Sequence, residues 1–162
     1  MGIRAFVGQL FGRILGSAQL APVPDARGGC QNRERGRWGE SVAAEYLRRL
    51  GWRIVERNAR PCRRDRRCEL DIVAYAPKAR QVVFVEVKTH MRHSPYASRL
   101  WAIDARKKRN LLRASANWLM RRHWRGNFRF DVIEVYGKSG ETDPEVDHIP
   151  NVRLFPPNWR FR

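Results

Sequence analysis

Two short apolar runs of this chain carry charges where a packed strand would exclude them. Residues 68–75 read Cys-Glu-Leu-Asp-Ile-Val-Ala-Tyr, and residues 81–88 read Gln-Val-Val-Phe-Val-Glu-Val-Lys. Both are rich in β-branched residues, and Pro77-Lys78-Ala79 between them is a turn sequence, so the spacing predicts a hairpin. Charge on a strand that packs into a core is costly, so a stable fold does not place Glu69, Asp71, Glu86 and Lys88 there without a use. On a strand, residues two apart share a face: Glu86 and Lys88 point one way, Val85 and Val87 the other, into packing. If the two strands pair, Asp71 reaches the face of Glu86. Two carboxylates and an amine on one sheet edge make a site for a hard divalent cation and a phosphate.

The rest of the chain places those strands in an α/β fold with a mixed central sheet flanked by helices. The globular part is predicted to begin near Arg35. Gly36-Arg37-Trp38-Gly39-Glu40 opens a helix to about Leu50, with Val42, Ala43, Tyr46, Leu47 and Leu50 as its apolar arc and Gly51 as a left-handed cap. Glu40, at the border of that arc, either complements the helix dipole or leans toward the acidic strands. Residues 52–56 form a first strand, and 58–67 a very basic loop holding Arg60, Arg63, Arg64, Arg66 and Arg67. A loop covers 89–100. Asp104 is a good N-cap for a helix to about His123, with Leu111, Leu112, Ser115, Trp118 and Leu119 on its buried side and Arg106, Lys107, Arg109, Arg113 and Arg121 on a basic side. A strand over 128–136 follows. Residues 146–149 and 152–155 add a short edge before a Pro-rich, aromatic tail. This divides the chain into 1–34, an N-terminal amphipathic segment and linker, and 35–162, the α/β domain with its tail.

The formal net charge of +17 on 162 residues calls for a polyanionic partner, nucleic acid first and an anionic membrane surface second. A GC-rich genome explains a preference for Arg over Lys, but not the excess of bases over acids. Six Trp and a hydrophobic fraction of 43% exclude a disordered chain. Cys30, Cys62 and Cys68 are odd in number and form no CxxC pair, so no disulfide framework is expected and a reducing cytoplasm is the expected compartment. Cys62 and Cys68 with His90 and His93 lack the spacing of a common structural zinc site. No stretch is long and apolar enough to span a bilayer. Ile3, Phe6, Val7, Leu10, Phe11, Ile14 and Leu15 mark an amphipathic helix, which docks either on its own domain or, as the lesser reading, on a membrane surface. Residues 21–29, with Pro22, Pro24, Gly28 and Gly29, read as a linker.

Gly39-Glu40 on a first helix, Glu69-Leu70-Asp71 on one strand, Val83-Phe84-Val85-Glu86-Val87-Lys88 on the next, a Lys-bearing helix and then Arg129-Phe130-Asp131-Val132 together resemble the YraN-like family of bacterial proteins. That family is similar to the PD-(D/E)XK restriction-endonuclease-like superfamily and to archaeal Holliday-junction resolvases. The resemblance covers about residues 35–155. A lone Glu-x-Lys is weak, but Glu-x-Asp followed by Phe-Val-Glu-Val-Lys within this order of elements is fairly specific.

The resemblance implies a restriction-endonuclease-like fold and a nuclease-type site. Asp71 and Glu86, with the carbonyl of Val87, would chelate Mg²⁺ or Mn²⁺. Lys88 would orient or activate the attacking water and stabilise charge on the phosphate. Glu40 would complete the acidic cluster, and Lys107 would face phosphate. Arg63, Arg64, Arg66, Arg67, Arg106, Lys107, Arg109 and Arg113 would bind nucleic acid. One departure stands out: Cys68 occupies the place of the family's Gly before Glu-x-Asp, after an Arg-rich loop holding Cys62, and crowds the approach to the strand. The expected activity is metal-dependent hydrolysis of phosphodiester bonds in DNA, branched or damaged DNA included. The alternative is a catalytically silent nucleic-acid-binding protein on the same fold. A two-fold dimer would let both strands be cut.

The remaining candidates have plain readings. Glu69 is read as an exposed strand acid or a support to the site's ligands, Asp131 as a structural partner of Arg129 or of a neighbouring base, and His90 and His93 as surface histidines. Trp159 and Phe161 are candidates to pack against the domain or a partner.

Overall fold

The computed structural model describes residues 26–91 and 105–154. Within them the chain runs α1 (Ala26–Arg49), β1 (Arg53–Ala59), β2 (Leu70–Ala76), β3 (Gln81–His90), α2 (Ala105–Arg121), β4 (Asn127–Tyr136) and β5 (Glu145–Ile149). The strands form one sheet in the order β1-β2-β3-β4-β5. Strands β1, β2 and β3 pair antiparallel, β3 and β4 pair parallel through the α2 crossover, and β5 returns antiparallel on β4. This is the mixed α/β sheet that the sequence predicts, and it is consistent with a restriction-endonuclease-like arrangement. Among the described residues no helix is long and apolar enough to cross a membrane.

Alternation along the strands feeds two cores, one per face. Val82, Phe84, Val73, Phe130 and Val132 pack under Leu111, Ala114, Trp118 and Leu119 of α2. Ile72, Ala74, Val83, Val85, Ile133 and Val135 pack under Ala43, Ala44 and Leu47 of α1. Even-numbered residues of β3 therefore lie on the α2 side, which puts Glu86 and Lys88 there. Phe84 and Trp118 meet edge to face with ring centroids 5.7 Å apart. Such a contact between large rings fixes α2 over β3. On the opposite side α1 comes close enough to the end of β3 that a Cβ at Gly39 would collide with the Thr89 side chain.

Several boundaries differ from the sequence expectation, each for a local reason. Helix α1 starts at Ala26, so residues 26–29 of the expected linker are helical. Gly28 and Gly29 cost helix stability, about 1 kcal/mol each, but do not forbid an extension from a helix already anchored by its packed half. The left-handed cap forms as expected. Gly51 has φ 81°. Its N–H bonds Arg48 O at 2.8 Å, and Trp52 N–H bonds Leu47 O at 3.0 Å. Leu50 does not join the arc and is 44% exposed. Strand β1 runs on to Ala59 although Asn58 has φ 50°. Asn tolerates that conformation, which reads as a loop in the sequence. Strand β3 runs to His90 because β4 pairs with it to that residue. Residues 152–154 form no strand; Val152 N–H bonds Phe130 O at 2.8 Å, and Leu154 is buried in the α2 core. The N-terminal amphipathic segment, residues 21–25 of the linker, most of the 89–100 loop including His93, Asp104, Phe155 and the tail with Trp159 and Phe161 lie outside the described residues.

Candidate active site

The acidic residues meet because of strand register. Ile72 pairs with Val85, so the next antiparallel positions are Asp71 and Glu86, on one face. Strand β3 extends past the last β2 partner, and Val87 N–H donates to the Asp71 carboxylate, Oδ2, at 2.8 Å in place of a backbone acceptor. In a strand the N–H and C=O of one residue point to the same edge, so the Val87 carbonyl shares the edge of Asp71.

Glu86 is 2% exposed, and its Oε1 accepts from Lys88 Nζ at 2.9 Å and lies 2.9 Å from Lys107 Nζ. Its other oxygen, Oε2, is buried with no hydrogen-bond partner among the described residues. A buried carboxylate oxygen is rarely left without a partner. Burial first and the adjacent Glu86 charge second push the Asp71 carboxyl up to about 7, against the Val87 hydrogen bond and the Lys107 charge. Lys107 feels the converse. Burial works against its charge, but Glu86 and Asp71 outweigh it and hold the ammonium above its ordinary range. Lys107 therefore contacts Glu86 directly.

Glu40 arrives from α1. Its carboxylate accepts from Asn58 Nδ2 at 3.0 Å and lies 3.7 Å from Arg57, yet it stands near enough to Asp71 to raise the Asp71 pKa. It borders the acidic pair rather than joining it. Among the described residues, no three His, Cys, Asp or Glu side chains are gathered as a ready-made metal cluster. Glu69 precedes β2 and holds Arg60 through both carboxylate oxygens at 3.1 Å, so it stays apart from the pair.

The arginines are arranged by Asp65. Its carboxylate takes Arg67 N–H at 3.1 Å, Arg67 Nε at 2.9 Å and Arg113 Nη1 at 3.1 Å. Hydrogen bonds from Arg67 lower its carboxyl to about 2. Arg121 Nη1 also bonds Pro61 O at 3.2 Å. The basic loop is thus fastened along α2 through Arg113 and Arg121, with Arg63, Arg64 and Arg66 exposed, as are Arg106 and Arg109 of α2.

Sequence reasoning missed other charged groups. Glu134 is paired in register with Lys88, is 3% exposed and accepts from Tyr136 Oη at 2.6 Å. His90, read as a surface residue, is half-buried, stacks on Tyr136 at 5.1 Å and lies 3.8 Å from Glu134. Asp131 is fully buried on the α1 side, with Arg129 Nε and Nη2 each at 2.9 Å, His148 at 2.9 Å and Asn151 N–H at 2.8 Å. Only Arg129 was legible, through its spacing of two. His148 comes from β5 and had no local signal.

Against known proteins, the model of the uncharacterised protein family UPF0102 matches residues 39–135. A UPF0102 protein of Pelobacter propionicus is 40% identical over 82% of this chain and 90% of its own length. One from Syntrophotalea carbinolica is 46% identical over 71% of this chain and 87% of its own. One from Geobacter sulfurreducens is 40% identical over 80% and 95%. The matched span holds every member of the acidic and amine group: Glu40, Asp71, Glu86, Lys88 and Lys107.

Proposed function

The chain belongs to the uncharacterised protein family UPF0102, and from that premise we propose that it is a metal-dependent nuclease hydrolysing phosphodiester bonds in DNA, branched or damaged DNA included. The observation that carries this reading is the Asp71–Glu86 pair: two enclosed carboxylates, one oxygen of Glu86 unbonded, and two lysines beside them.

The donor set fits a hard divalent cation such as Mg²⁺ or Mn²⁺. Asp71, Glu86 Oε2 and the Val87 carbonyl are all oxygens, and a dication would offset both the burial and, second to it, the Glu86 charge that raise the Asp71 pKa. A bound cation supplies Lewis-acid polarisation of the phosphate and a more acidic water. The chain's own groups do the rest. Lys88 and Lys107 put two ammonium groups where charge grows on the phosphate oxygens. Val87 N–H fixes the rotamer of Asp71, and Asn58 and Arg57 fix that of Glu40. The exposed arginines of the β1–β2 loop and of α2 suit bidentate contacts to the DNA backbone.

The test is incubation of the purified protein with Mg²⁺ or Mn²⁺ and nicked, forked, four-way and single-stranded DNA. Cleavage lost in Asp71→Ala and Glu86→Gln is the expected result. No cleavage of any substrate, or cleavage unchanged in Asp71→Ala, overturns the reading.

One observation favours a second reading, a nucleic-acid-binding protein without turnover. Lys88 and Lys107 already balance Glu86 from within the protein. Such a protein binds DNA with a steep salt dependence and shows no calorimetric Mn²⁺ site.

A further inference from the structure

The face of the sheet away from the acidic pair carries a groove. It runs between α1 and the connection that joins β4 to β5, has a volume of about 500 Å³, and is floored by Trp38, Val42, Tyr46 and Val146. All four pack against the α1 core and stay half-buried. Two exposed acids stand on its rim, Glu45 from α1 and Asp143 from the connection. Glu141 lies beside them, but its carboxylate already accepts from Lys138 N–H at 2.8 Å. Glu45 lies 3.6 Å from Arg48 and 3.5 Å from Arg49, at the surface, where such pairs exchange partners at little cost. In a chain with 33 Lys and Arg against 16 Asp and Glu, a groove bordered by acids is a poor seat for nucleic acid and a good one for a basic, apolar segment.

We propose that residues 3–15 of this same chain dock in that groove as a helix. Their apolar residues, from Ile3 to Leu15, form one arc, and at about 100° per residue Arg4 and Arg13 fall near its two edges. An arc edged by guanidiniums on both sides complements an apolar floor edged by Glu45 on one element and Asp143 on the other. The segment carries no Asp or Glu to oppose them. It also needs a surface to fold on: a single short helix that includes Gly8 and Gly12 is marginal in water.

The lengths agree. From residue 3 to residue 15 an α-helix rises about 18 Å, and the groove follows α1 from Trp38 to Arg49, about 17 Å. Ten residues, 16–25, join the segment to Ala26, where α1 begins. Pro22 and Pro24 favour an extended course, and ten extended residues reach about 33 Å. Trp38 lies about 18 Å and Tyr46 about 30 Å along α1 from Ala26, so the connection reaches the groove of its own copy. The groove is on the α1 face and the Asp71–Glu86 pair on the α2 face, so a docked segment leaves the acidic pair uncovered and docking does not depend on the nuclease reading.

The full chain carrying Arg13→Lys keeps the charge and supplies an amine for a carbodiimide, which joins amines to carboxylates without a spacer. Equal parts of ¹⁵N-labelled and unlabelled protein are mixed, coupled at low concentration, digested and mapped by mass. The expected product joins position 13 to Glu45, Glu141 or Asp143, with both peptides carrying the same label. Joined peptides of mixed label alone would seat the segment on a second copy and overturn the proposal. Coupling of position 13 solely to other carboxylates, or no coupling there, overturns it too. Trypsin gives a measurement without the new amine. Cleavage after Arg13 is expected to be at least about tenfold faster in Leu10→Ser than in the parent. That variant removes an apolar anchor and changes no residue of the sheet or its two helices. Equal cleavage rates overturn docking. Flotation of the parent with phosphatidylglycerol vesicles, lost in Leu10→Ser and unaccompanied by groove coupling, assigns the segment to a membrane surface instead.

Discussion

Lys107 of α2 lies 2.9 Å from the same Glu86 oxygen that accepts from Lys88 of β3. A helix and a strand are thereby joined through one enclosed carboxylate, and the charge of Glu86 is offset from two elements at once. Removing one ammonium leaves the carboxylate with half its compensation. Lys107→Met keeps the aliphatic stem and deletes the charge. Breaking a fully buried pair costs about 3–5 kcal/mol. Lys107 is 35% exposed and Lys88 remains. The expected loss is therefore about 1–2 kcal/mol after discounting for solvent screening. Urea denaturation checks this, and the Lys88→Met, Lys107→Met double variant is expected to lose more than the sum of the singles. Strict additivity would show that the two lysines do not share Glu86.

Asp71 is held near a pKa of about 7, above its ordinary value of 3.8. The folded protein therefore keeps a proton that the unfolded chain releases. Stability is greatest below the unfolded value and falls as pH rises from about 4 to about 7, then levels off. Asp71→Asn removes the ionisation while leaving an oxygen to accept from Val87 N–H. It is expected to be more stable than the parent at pH 8, by up to about 4 kcal/mol if the whole shift is realised at about 1.4 kcal/mol per unit. Its melting temperature is expected to lack the decline between pH 4 and pH 7. A variant that melts below the parent at pH 8 would sink this account of the site.

If the site takes a divalent cation as proposed, the cation competes with that proton for Asp71. Mn²⁺ is expected to raise the melting temperature at pH 8, with a stabilisation of about 2.7 kcal/mol at a hundredfold excess over its Kd. The gain is expected to shrink below pH 6, where Asp71 is protonated, and to vanish in Glu86→Gln. Thermal shift at fixed ionic strength separates this from general screening, because Na⁺ at matched ionic strength gives no such gain.

Most of the fold and the centre of the site were legible, because both rest on short-range periodicity. Alternation in residues 81–88 assigns Glu86 and Lys88 to one face before any partner is known, and the turn at 77–79 brings β2 alongside. The parts that were not legible depend on long-range partners. Nothing near Glu40 announces that Asn58 and Arg57 hold its carboxylate away from the pair. Nothing near Asp65, flanked by arginines that look solvated, shows that it binds Arg113 and ties the loop to α2. Glu134 carries no signal of its own within its strand, and only the parallel register with β3 sets it beside Lys88.

Asp131 was read as structural, and its surroundings give that reading a test. Burial alone would raise the carboxyl, but hydrogen bonds from His148, Arg129 and Asn151 N–H together outweigh it and hold the carboxyl below its usual range. Its contribution is present above the unfolded carboxylate pKa and is lost as pH falls through the lower folded value. Asp131→Asn leaves Arg129 and His148 without their anion, and about 3 kcal/mol is the expected cost. The variant is expected to lose part of the parent's steep acid unfolding. With enough protein still folded, DNA cleavage per folded molecule is expected to stay unchanged; a large selective loss of activity would move Asp131 into the reaction.

Gly39 tests whether the contact between α1 and β3 places Glu40. A Cβ there would collide with Thr89, whose side chain is β-branched and stiff at χ1 and cannot swing aside cheaply. Gly39→Ala gains helix propensity, worth about 1 kcal/mol, yet overpacking at a tight interface costs about 1–3 kcal/mol. The net expectation is a destabilised protein, with Glu40 displaced from the border of the acidic pair. Thr89→Ala removes the atom that a new Cβ would meet most closely, so the double variant is expected to recover most of the lost stability and to show the helix gain that the single variant hides. A Gly39→Ala protein as stable as the parent, or a Thr89→Ala change that rescues nothing, would mean that α1 is free to slide on the sheet and that Glu40 is positioned by Asn58 and Arg57 alone.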